Sequence, residues 1–334
     1  MTIKISNKKI GTNFPAFIIA EGGINHDGKL RVAKKLVSKA KDAGADAIKF
    51  QTFKAGNLVS INSKYFKIFQ KLELTYNDFA ELSDFAKTEG IIFLSTPFSD
   101  EAVDFLHKLK IPAFKIASGD LTNLPLIRFV ASKHKPIILS TGMSNIKEIQ
   151  EAIKTIKSTK NNSIILLHSS SSYPAPPNEA NLNAIKTLKN KFNFPIGYSD
   201  NGSNHLVPLI AVSLGAKLIE KHFTLDRKMK GGDHSLSADP TQLKILINEI
   251  RNIETMLGDG IKNYQPSEKM GRINFRRSLI ATQTIPKNEK ITQKMISIKR
   301  PATGIEPKFM HQIIGKTTKR KILNDEPIKW KDLN

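Results

Sequence analysis

Eight short apolar runs alternate with eight helix-like stretches along the first two thirds of this chain, and few folds accommodate that order. The runs are rich in β-branched and aromatic residues and are bounded by Gly, Pro or Asn, which is typical of buried strands. They are FIIAE (17–21), DAIKFQ (46–51), IIFLST (91–96), AFKIAS (113–118), PIILST (136–141), IILLHS (164–169), FPIGYSD (194–200) and AKLIEKH (216–222). This pattern predicts an α/β fold, a closed parallel (β/α)8 barrel or TIM barrel, with its functional site at the C-terminal ends of the strands.

Helix signals between the runs support the barrel. The predicted helices span residues 30–43, 98–110, 144–157 and 241–257. Ser99 and Ser144 are the expected N-caps of the second and third, because each precedes acidic residues in a first turn. Gly44 and Gly258 are expected to end the first and the last.

The chain divides into a barrel, a linker and a small second domain. The barrel is assigned to residues 1–258 and the linker to residues 259–275, which have loop composition. Residues 276–334 hold three short β-like runs with Pro and Gly turns, so we expect a small β-rich domain there. In the barrel, the long basic loop 54–74 is expected to act as a lid. The serine run at 169–177 is either a flexible linker or a strand-end site loop.

The residues that end the apolar runs form a candidate site. They are Glu21, Lys49, Gln51, Thr96, Lys115, Ser118, Ser140, Tyr173, Ser199 and His222. Two lysines among several hydroxyls predict a doubly anionic ligand, because ammonium groups and hydroxyls bind phosphate and carboxylate. A strand-end lysine also fits a class I Schiff-base aldolase, which is the rival enzyme reading.

Three groups, of which Glu21 and His222 already belong to this candidate site, carry possible acid–base or metal chemistry. Glu21 and Asp233 are candidate carboxylates for hydroxyl recognition or proton transfer. Asp233 lies in the sequence GGDH, whose glycines permit a ligand to approach the backbone closely. His222 ends the eighth run and is either a structural histidine or a metal or acid–base residue.

Composition limits the function classes. The chain has no cysteine, which excludes disulfides, thiolate metal sites and a cysteine nucleophile and fits a cytoplasmic location. No stretch approaches the ~20 apolar residues of a membrane span. The net charge of +22 comes from lysines spread along the chain. They are either solvated faces or attract an anionic small molecule, and we expect neither a nucleic-acid nor a membrane partner.

Nine motifs together resemble the bacterial sialic acid synthase family across essentially the whole chain. They are AEGGINHDG (20–28), KFQT (49–52), STPF (95–98), FKIASGD (114–120), LSTGM (139–143), SYPAP (172–176), YSDN (198–201), EKHFTLD (220–226) and KRPATGIEP (299–307). The last motif lies in the C-terminal domain, which is similar to antifreeze proteins (a SAF domain of the β-clip type).

The resemblance implies a reaction, a metal and an assembly. The family condenses phosphoenolpyruvate with an open-chain N-acetylated aminosugar, giving a nine-carbon 2-keto acid and phosphate. The sugar is N-acetylmannosamine or, in relatives that make legionaminic or pseudaminic acid, a 2,4-diacetamido-trideoxy hexose. The family also implies a divalent metal, typically Mn2+ with Mg2+ or Co2+ as alternatives. It further implies a domain-swapped homodimer in which the C-terminal domain caps the partner's barrel.

The resemblance also implies a role for each matched residue. Phosphoenolpyruvate would be held by Lys49, Thr96, Lys115, Ser118, Ser140, Ser171 and Ser199, and the sugar by Glu21, Gln51, Tyr173, Asp233 and, from the other subunit, Arg300. The catalytic residues would be Glu21, Asp120 and His222. The metal would be bound by His222 and Asn201.

Three positions depart from the family pattern. Asn201 stands where the family usually has a second metal histidine, and an amide oxygen is a harder ligand. Asp120 replaces a glutamate that is a proposed acid–base group, and Ser171 replaces an asparagine. The departure at Asn201 leaves one alternative from another class, a non-catalytic sugar-binding relative that has lost its metal site. The sugar is not fixed, although KFQTFKAGN, STGM and GGDH look closer to legionaminate-type synthases.

Overall fold

Eight parallel strands close into a barrel in the computed structural model, which describes residues 1–334. A hairpin of β1 (Ile3–Ile5) and β2 (Lys8–Ile10) precedes them. The barrel strands are β3 (Phe17–Gly23), β4 (Ala47–Thr52), β5 (Ile92–Pro97), β6 (Phe114–Ile116), β7 (Ile137–Ser140), β8 (Ile164–Ser169), β9 (Ile196–Asp200) and β10 (Leu218–His222). Each pairs with the next in chain order, and β10 pairs with β3 to close the ring. The predicted (β/α)8 barrel is confirmed.

Helices surround the barrel. They are α1 (Leu30–Ala43), α2 (Ala55–Leu58), α3 (Phe66–Leu72), α4 (Tyr76–Glu89), α5 (Asp100–Lys108), α6 (Leu124–Ala131), α7 (Ile146–Ser158), α8 (Ala184–Lys191), α9 (Leu206–Ser213) and α10 (Pro240–Leu257). Ala33, Leu36 and Val37 lie on one face of α1 and are fully buried against the strands. Gly44 ends α1 at φ 91°, a left-handed conformation that favours glycine.

The helix caps confirm one sequence prediction and correct another. Ser99 caps α5, since its Oγ accepts a hydrogen bond from the backbone N–H of Ala102 at 3.2 Å. Ser144 does not cap α7. The cap is Asn145, whose Oδ1 accepts from the N–H of Glu148 while the Glu148 carboxylate accepts from the N–H of Asn145. Asn145 and Glu148 thus form a capping box. The helix therefore begins one residue later than it would with Ser144 as its cap.

The N-terminal hairpin was not predicted from the sequence. Its residues Ile3, Ile5 and Ile10 are buried in one apolar cluster with Phe17 and Leu218, which begin β3 and β10. The hairpin therefore covers the N-terminal end of the barrel, opposite the strand ends that form the candidate site.

Residues Asp259–Asn334 form a second compact unit with its own apolar core. Its strands β11 (Ser278–Ala281) and β12 (Ile296–Lys299) pair antiparallel. The third β-like run, 312–322, overlaps α12 (Met310–Ile313) and otherwise makes only isolated bridges. The segment assigned as a linker carries α11 (Lys269–Phe275), none of whose residues is buried.

No helix in residues 1–334 has both the length and the apolar character needed to span a membrane.

Candidate active site

A cavity of about 340 Å3 opens at the C-terminal ends of the barrel strands. All eight strands contribute a polar side chain, because each strand turns alternate residues toward the barrel axis. These residues are Glu21, Lys49, Gln51, Thr96, Lys115, Ser140, Ser169, Ser199, Glu220 and His222. Loop residues add Ser118, Tyr173, Asn201 and Asp233. The cavity thus collects all but three of the predicted site residues, and the exceptions are Asp120, Ser171 and Arg300.

Two lysines and two glutamates alternate at the base of the cavity. Lys49 Nζ lies 2.5 Å from Glu21 Oε2 and 3.6 Å from Glu220 Oε1, and Lys115 Nζ lies 3.7 Å from the same Glu220 oxygen. All four side chains are at most 6% exposed. Lys49 also donates a hydrogen bond to Thr96 Oγ1 at 3.1 Å. We call Glu21, Lys49, Lys115 and Glu220 the charged quartet, whose formal charges cancel when no ligand is bound.

Glu220 is the member of the quartet that sequence reasoning missed. Ser199 Oγ donates to Glu220 Oε1 at 3.1 Å, and Glu220 Oε2 is buried without a partner. The signal was present in the motif EKHFTLD, because residues two apart in a strand share a face. Glu220 and His222 point inward on β10, whereas Lys221 points outward and pairs with Asp200 at 2.7 Å.

The quartet shifts the pKa of each member in a definite direction. Burial raises the pKa of Glu21 and the Glu220 charge adds to this, against the opposing effect of Lys49. Burial lowers the pKa of Lys115 to about 8, only partly opposed by Glu220. Burial also disfavours the charged forms of Lys49 and Glu220, but their opposite charges prevail, so the pKa of Lys49 rises and that of Glu220 falls.

These directions are mutually consistent, because Lys49 and Glu220 each face two opposite charges, whereas Glu21 and Lys115 each lie beside only one. Glu21 is the carboxyl of the quartet that takes up a proton most readily. Lys115 is the cation that gives one up most readily.

Serine hydroxyls lie close to the backbone at Gly142. The Gly142 N–H donates to Ser118 Oγ at 3.1 Å, and the Oγ atoms of Ser140 and Ser171 are buried without partners. A Cβ at position 142 would lie 2.1 Å from Ser171 Oγ and 2.8 Å from Ser118 Oγ, so only glycine fits between them. Ser171, although it does not line the cavity, therefore stands beside the Ser118 hydroxyl that does.

The opposite side of the cavity is built by aromatic and acidic groups. Gln51 Nε2 lies 3.4 Å from Glu21 Oε1, and the Tyr173 ring stands edge-on to the His222 ring at 5.8 Å. Asp233 Oδ2 lies 3.7 Å from His222 Nδ1. Tyr173 is 55% exposed overall, but burial around its hydroxyl, followed by the Asp233 charge, raises the pKa of the phenol, which stays protonated and can donate a hydrogen bond.

The residues present fit a divalent cation held by few protein ligands. His222 Nδ1 is buried without a hydrogen-bond partner. Asn201 Nδ2 donates to Ser170 O at 2.9 Å and Ser169 Oγ at 3.2 Å, which leaves Oδ1 as the atom available to an ion. No three His, Asp or Glu side chains in residues 1–334 are grouped so that they could hold a metal by themselves. An ion here would need oxygen from amides, substrate or water as well.

Asp120 and Arg300 lie outside the lining of the cavity. Asp120 is in a 3-10 turn after β6 and accepts from Asn123 Nδ2 at 3.2 Å, and burial raises the pKa of its carboxyl. Arg300 belongs to the C-terminal unit, where its guanidinium carbon lies 5.6 Å from the centre of the Phe275 ring. Its action in trans stays a prediction.

The loop predicted to be a lid is folded at the edge of the cavity. It contains α2 and α3, from which Leu58 and Phe69 line the cavity together with Ile24 and Phe98. Phe69 packs edge-on against Phe53 at 5.7 Å. One wall of the cavity is therefore apolar, and the opening or closing of the loop stays a prediction.

Comparisons with known proteins agree over both units. Residues 36–262 match the NeuB family and residues 276–334 match the SAF domain. The chain is 50% identical to an uncharacterized protein of Methanocaldococcus jannaschii over 99% of this chain and 98% of that protein. It is 44% identical to the N,N'-diacetyllegionaminic acid synthase of Campylobacter jejuni over 93% and 98%. The crystal structure of a sialic acid synthetase from Leptospira borgpetersenii in complex with citrate superposes with a TM-score of 0.78 at 39% identity, covering 81% of this chain and 95% of that one.

Proposed function

This chain belongs to the NeuB family, and we propose that it is a nonulosonic acid synthase that condenses phosphoenolpyruvate with an open-chain N-acetylated aminosugar. C3 of the enol bonds to the sugar aldehyde carbon, and water adds at C2. The C2–O bond to phosphate then breaks, leaving a nine-carbon 2-keto acid and phosphate. One proton of the water ends on the former aldehyde oxygen and the other leaves with phosphate. The single observation that carries the proposal is the charged quartet beneath a rim of hydroxyls.

The quartet suits a ligand with both a phosphate and a carboxylate. Lys49 and Lys115 offer two ammonium groups 3.6 and 3.7 Å from a shared glutamate oxygen, close enough to bind the two ends of one small anion. Ser118, Ser140 and Ser199 supply hydroxyls around them. Because the quartet is neutral alone, the arriving anion makes the cavity negative and favours uptake of a proton.

Glu21 is the carboxyl that would take up this proton. Burial already raises its pKa, and Gln51 Nε2 lies against its second oxygen on the sugar side of the cavity at 3.4 Å. A protonated Glu21 can deliver a proton to the aldehyde oxygen as the new carbon–carbon bond forms. Lys49 then stabilises the carboxylate that remains, which regains a proton from the water that adds at C2, so that the net reaction consumes no proton of the protein.

The apolar wall indicates which aminosugar fits. Both lysines that line the cavity are taken by the quartet and its anion, so the lining itself offers no further ammonium or guanidinium group for a sugar phosphate. Arg300 of a second copy is assigned to the sugar itself. Leu58, Phe69 and Phe98 instead suit methyl groups of acetamido and deoxy positions. We therefore favour an unphosphorylated 2,4-diacetamido-2,4,6-trideoxy hexose over N-acetylmannosamine.

A divalent ion, for which we expect Mn2+, would be held by His222 and Asn201 and would supply a Lewis acid for the aldehyde oxygen when bound. The chain's own contribution is the orientation of that site. Asn201 is tied to the loop after β8 through Ser170 O, and the His222 ring is flanked by Tyr173 and Asp233.

A homodimer would complete the sugar site with Arg300. Five large apolar side chains within residues 261–275 of the C-terminal unit are exposed, an unusual density for a free surface. They are Ile261 at 70%, Tyr264 at 46%, Met270 at 61%, Ile273 at 42% and Phe275 at 66%. Arg300 stacks on Phe275, so a second copy that covered these side chains would also meet Arg300.

The test is phosphate release from phosphoenolpyruvate with Mn2+ and each of three sugars: N-acetylmannosamine, its 6-phosphate, and the 2,4-diacetamido-trideoxy hexose. We expect release that depends on the sugar and is fastest with the last. No release with any sugar would refute the synthase, and fastest release with the 6-phosphate would refute the argument from the apolar wall.

One observation favours a second candidate, the class I aldolase. Such an enzyme needs a lysine whose pKa is lowered, and Lys115 has one of about 8. An aldolase would use pyruvate in place of phosphoenolpyruvate and would be inactivated by borohydride in its presence. We expect neither result, because Lys115 lies 3.7 Å from Glu220, donates a hydrogen bond to Ile116 O at 3.0 Å and shares its cavity with several serine hydroxyls.

A further inference from the structure

The turn that carries Asp233 is held in place by Asn25, a residue with no contact to the cavity. Asn25 is 1% exposed, and its Oδ1 accepts a hydrogen bond from the backbone N–H of Asp233 at 2.8 Å. Its Nδ2 donates to Phe223 O and to Ser237 Oγ, both at 2.9 Å. Ser237 Oγ in turn donates to Asp233 O at 2.7 Å. Both backbone polar groups of Asp233 are therefore fixed by this pair.

A second clamp holds the same turn from the neighbouring position. His234 is fully buried, with Nε2 3.2 Å from Asp27 Oδ1 and Nδ1 2.6 Å from Thr224 Oγ1. Asn25 and Asp27 both lie in the loop after β3, and Thr224 follows β10. The clamp therefore ties the loop after the first barrel strand to the loop after the last.

The turn itself has little stiffness of its own. Gly231 and Gly232 have φ values of 91° and 50°, which glycine adopts freely. A Cβ on Gly232 would lie 2.7 Å from Asn25 Oδ1, so a side chain there would collide with the clamp. The glycines permit the close approach, and Asn25 supplies the restraint at Asp233 itself, beside the His234 clamp at the next position.

We propose that Asn25 is a positioning residue that sets the affinity for the aminosugar by fixing Asp233 beside His222. Asp233 Oδ2 reaches within 3.7 Å of His222 Nδ1 only while its backbone is held, since the two preceding glycines would otherwise let the turn move. The inference rests on the proposed function in one respect, namely that Asp233 contacts the sugar. The two lysines assigned to phosphoenolpyruvate lie on β4 and β6, whereas Asn25 and the turn follow β3 and β10, so its binding does not depend on this turn.

The test compares Asn25→Ala with Asn161→Ala. Asn161 is a matched control because it is also a buried asparagine that bridges backbone groups, donating to Lys135 O at 2.9 Å and accepting from Ser163 N–H at 3.0 Å. It lies before β8, at the opposite end of the barrel. We expect Asn25→Ala to raise the KM for the sugar by about tenfold or more and to leave the KM for phosphoenolpyruvate within about twofold. Asn161→Ala should change neither.

Equal rises in both KM values, or no rise in the sugar KM, would overturn the proposal. If Asn25→Ala does not fold, Ser237→Ala removes the bridging hydroxyl alone. It should still raise the sugar KM selectively, and an unchanged value would count against the proposal in the same way.

A second measurement separates this inference from the proposed function. If the wild type releases no phosphate with any sugar, the synthase is refuted, and hydrogen exchange of the ligand-free protein then decides. We expect the amides of residues 233–237 to exchange faster in Asn25→Ala than in the wild type or Asn161→Ala. Equal exchange in all three proteins would overturn the positioning role.

Discussion

Replacing Lys115 by methionine tests whether its buried ammonium serves an anionic ligand rather than the fold. Burial lowers the pKa of Lys115 from 10.5 to about 8. The unfolded chain therefore binds this proton more tightly than the folded protein does. Below pH 8 this difference in pKa between the unfolded and folded chain lowers the free energy of unfolding by about 3 kcal/mol. The loss of stability disappears as the pH rises from about 8 to 10.5, because the lysine is then neutral in both states.

Methionine keeps much of the volume of the lysine and removes the charge. Glu220 keeps a cation after the substitution, since Lys49 remains 3.6 Å away. We therefore expect Lys115→Met to be at least as stable as the wild type at pH 7, with the difference shrinking toward pH 10. Its affinity for phosphoenolpyruvate should fall roughly 10- to 150-fold, which corresponds to a charge-assisted contact of about 1.5–3 kcal/mol.

The assay is thermal unfolding at pH 7 and at about pH 9.5, together with calorimetric titration of phosphoenolpyruvate. Lys221→Met is the matched control, because Lys221 is equally buried but points out of the barrel toward Asp200. Lys221→Met leaves Asp200 unpaired, which should destabilise the protein by about 3–5 kcal/mol. It should change the affinity for phosphoenolpyruvate little. Wild-type affinity in Lys115→Met, or a loss of stability as large as in the control, would refute the reasoning.

Four further predictions concern other parts of the site. Lys49→Ala should raise the KM for phosphoenolpyruvate at least tenfold, because it removes one of the two ammonium groups assigned to this anion; saturation kinetics at the wild-type level would contradict this. Mixing inactive Arg300→Ala with inactive Glu21→Ala should restore part of the activity in heterodimers, and a dead mixture after confirmed subunit exchange would exclude a swapped domain. Asn201→His should lower the Mn2+ concentration for half-maximal rate, since imidazole binds such ions better than an amide does. A Mn2+ titration of the wild type and the variant, with EDTA as the control, measures this concentration. Gly142→Ala should weaken phosphoenolpyruvate binding by pushing Ser118 and its neighbours out of place, measured by calorimetry, and unchanged binding would count against the hydroxyl rim.

The barrel could be predicted because its signals are local. Each buried strand is a continuous apolar run, and the polar residue at its end falls at the mouth of the barrel in any closed parallel arrangement. Lys49, Lys115 and Ser199 were placed correctly at the cavity for this reason. The hairpin at Ile3–Ile10 was missed because its strands have three residues each, too few for the alternation in IKI to stand out from the sequence.

The energetics of the site could not be predicted, because they arise between residues far apart in the chain. Glu220 ion-pairs with Lys49 and Lys115, and Asn25 holds Asp233 across 208 positions. The raised pKa of Glu21 depends on burial and on these neighbours together. Such couplings exist only once the barrel has closed and has brought β10 beside β3.

The most direct test of the synthase follows the bridging oxygen of phosphoenolpyruvate. The protein is incubated with Mn2+, the 2,4-diacetamido-trideoxy hexose and phosphoenolpyruvate carrying a heavy-oxygen label between C2 and phosphorus, and the products are identified by mass spectrometry. The account predicts a nine-carbon 2-keto acid and phosphate in equal amounts, with the label in the phosphate, because the C2–O bond is the one that breaks. Phosphate without the sugar acid, a sugar acid formed from pyruvate alone, or label retained in the acid would contradict it.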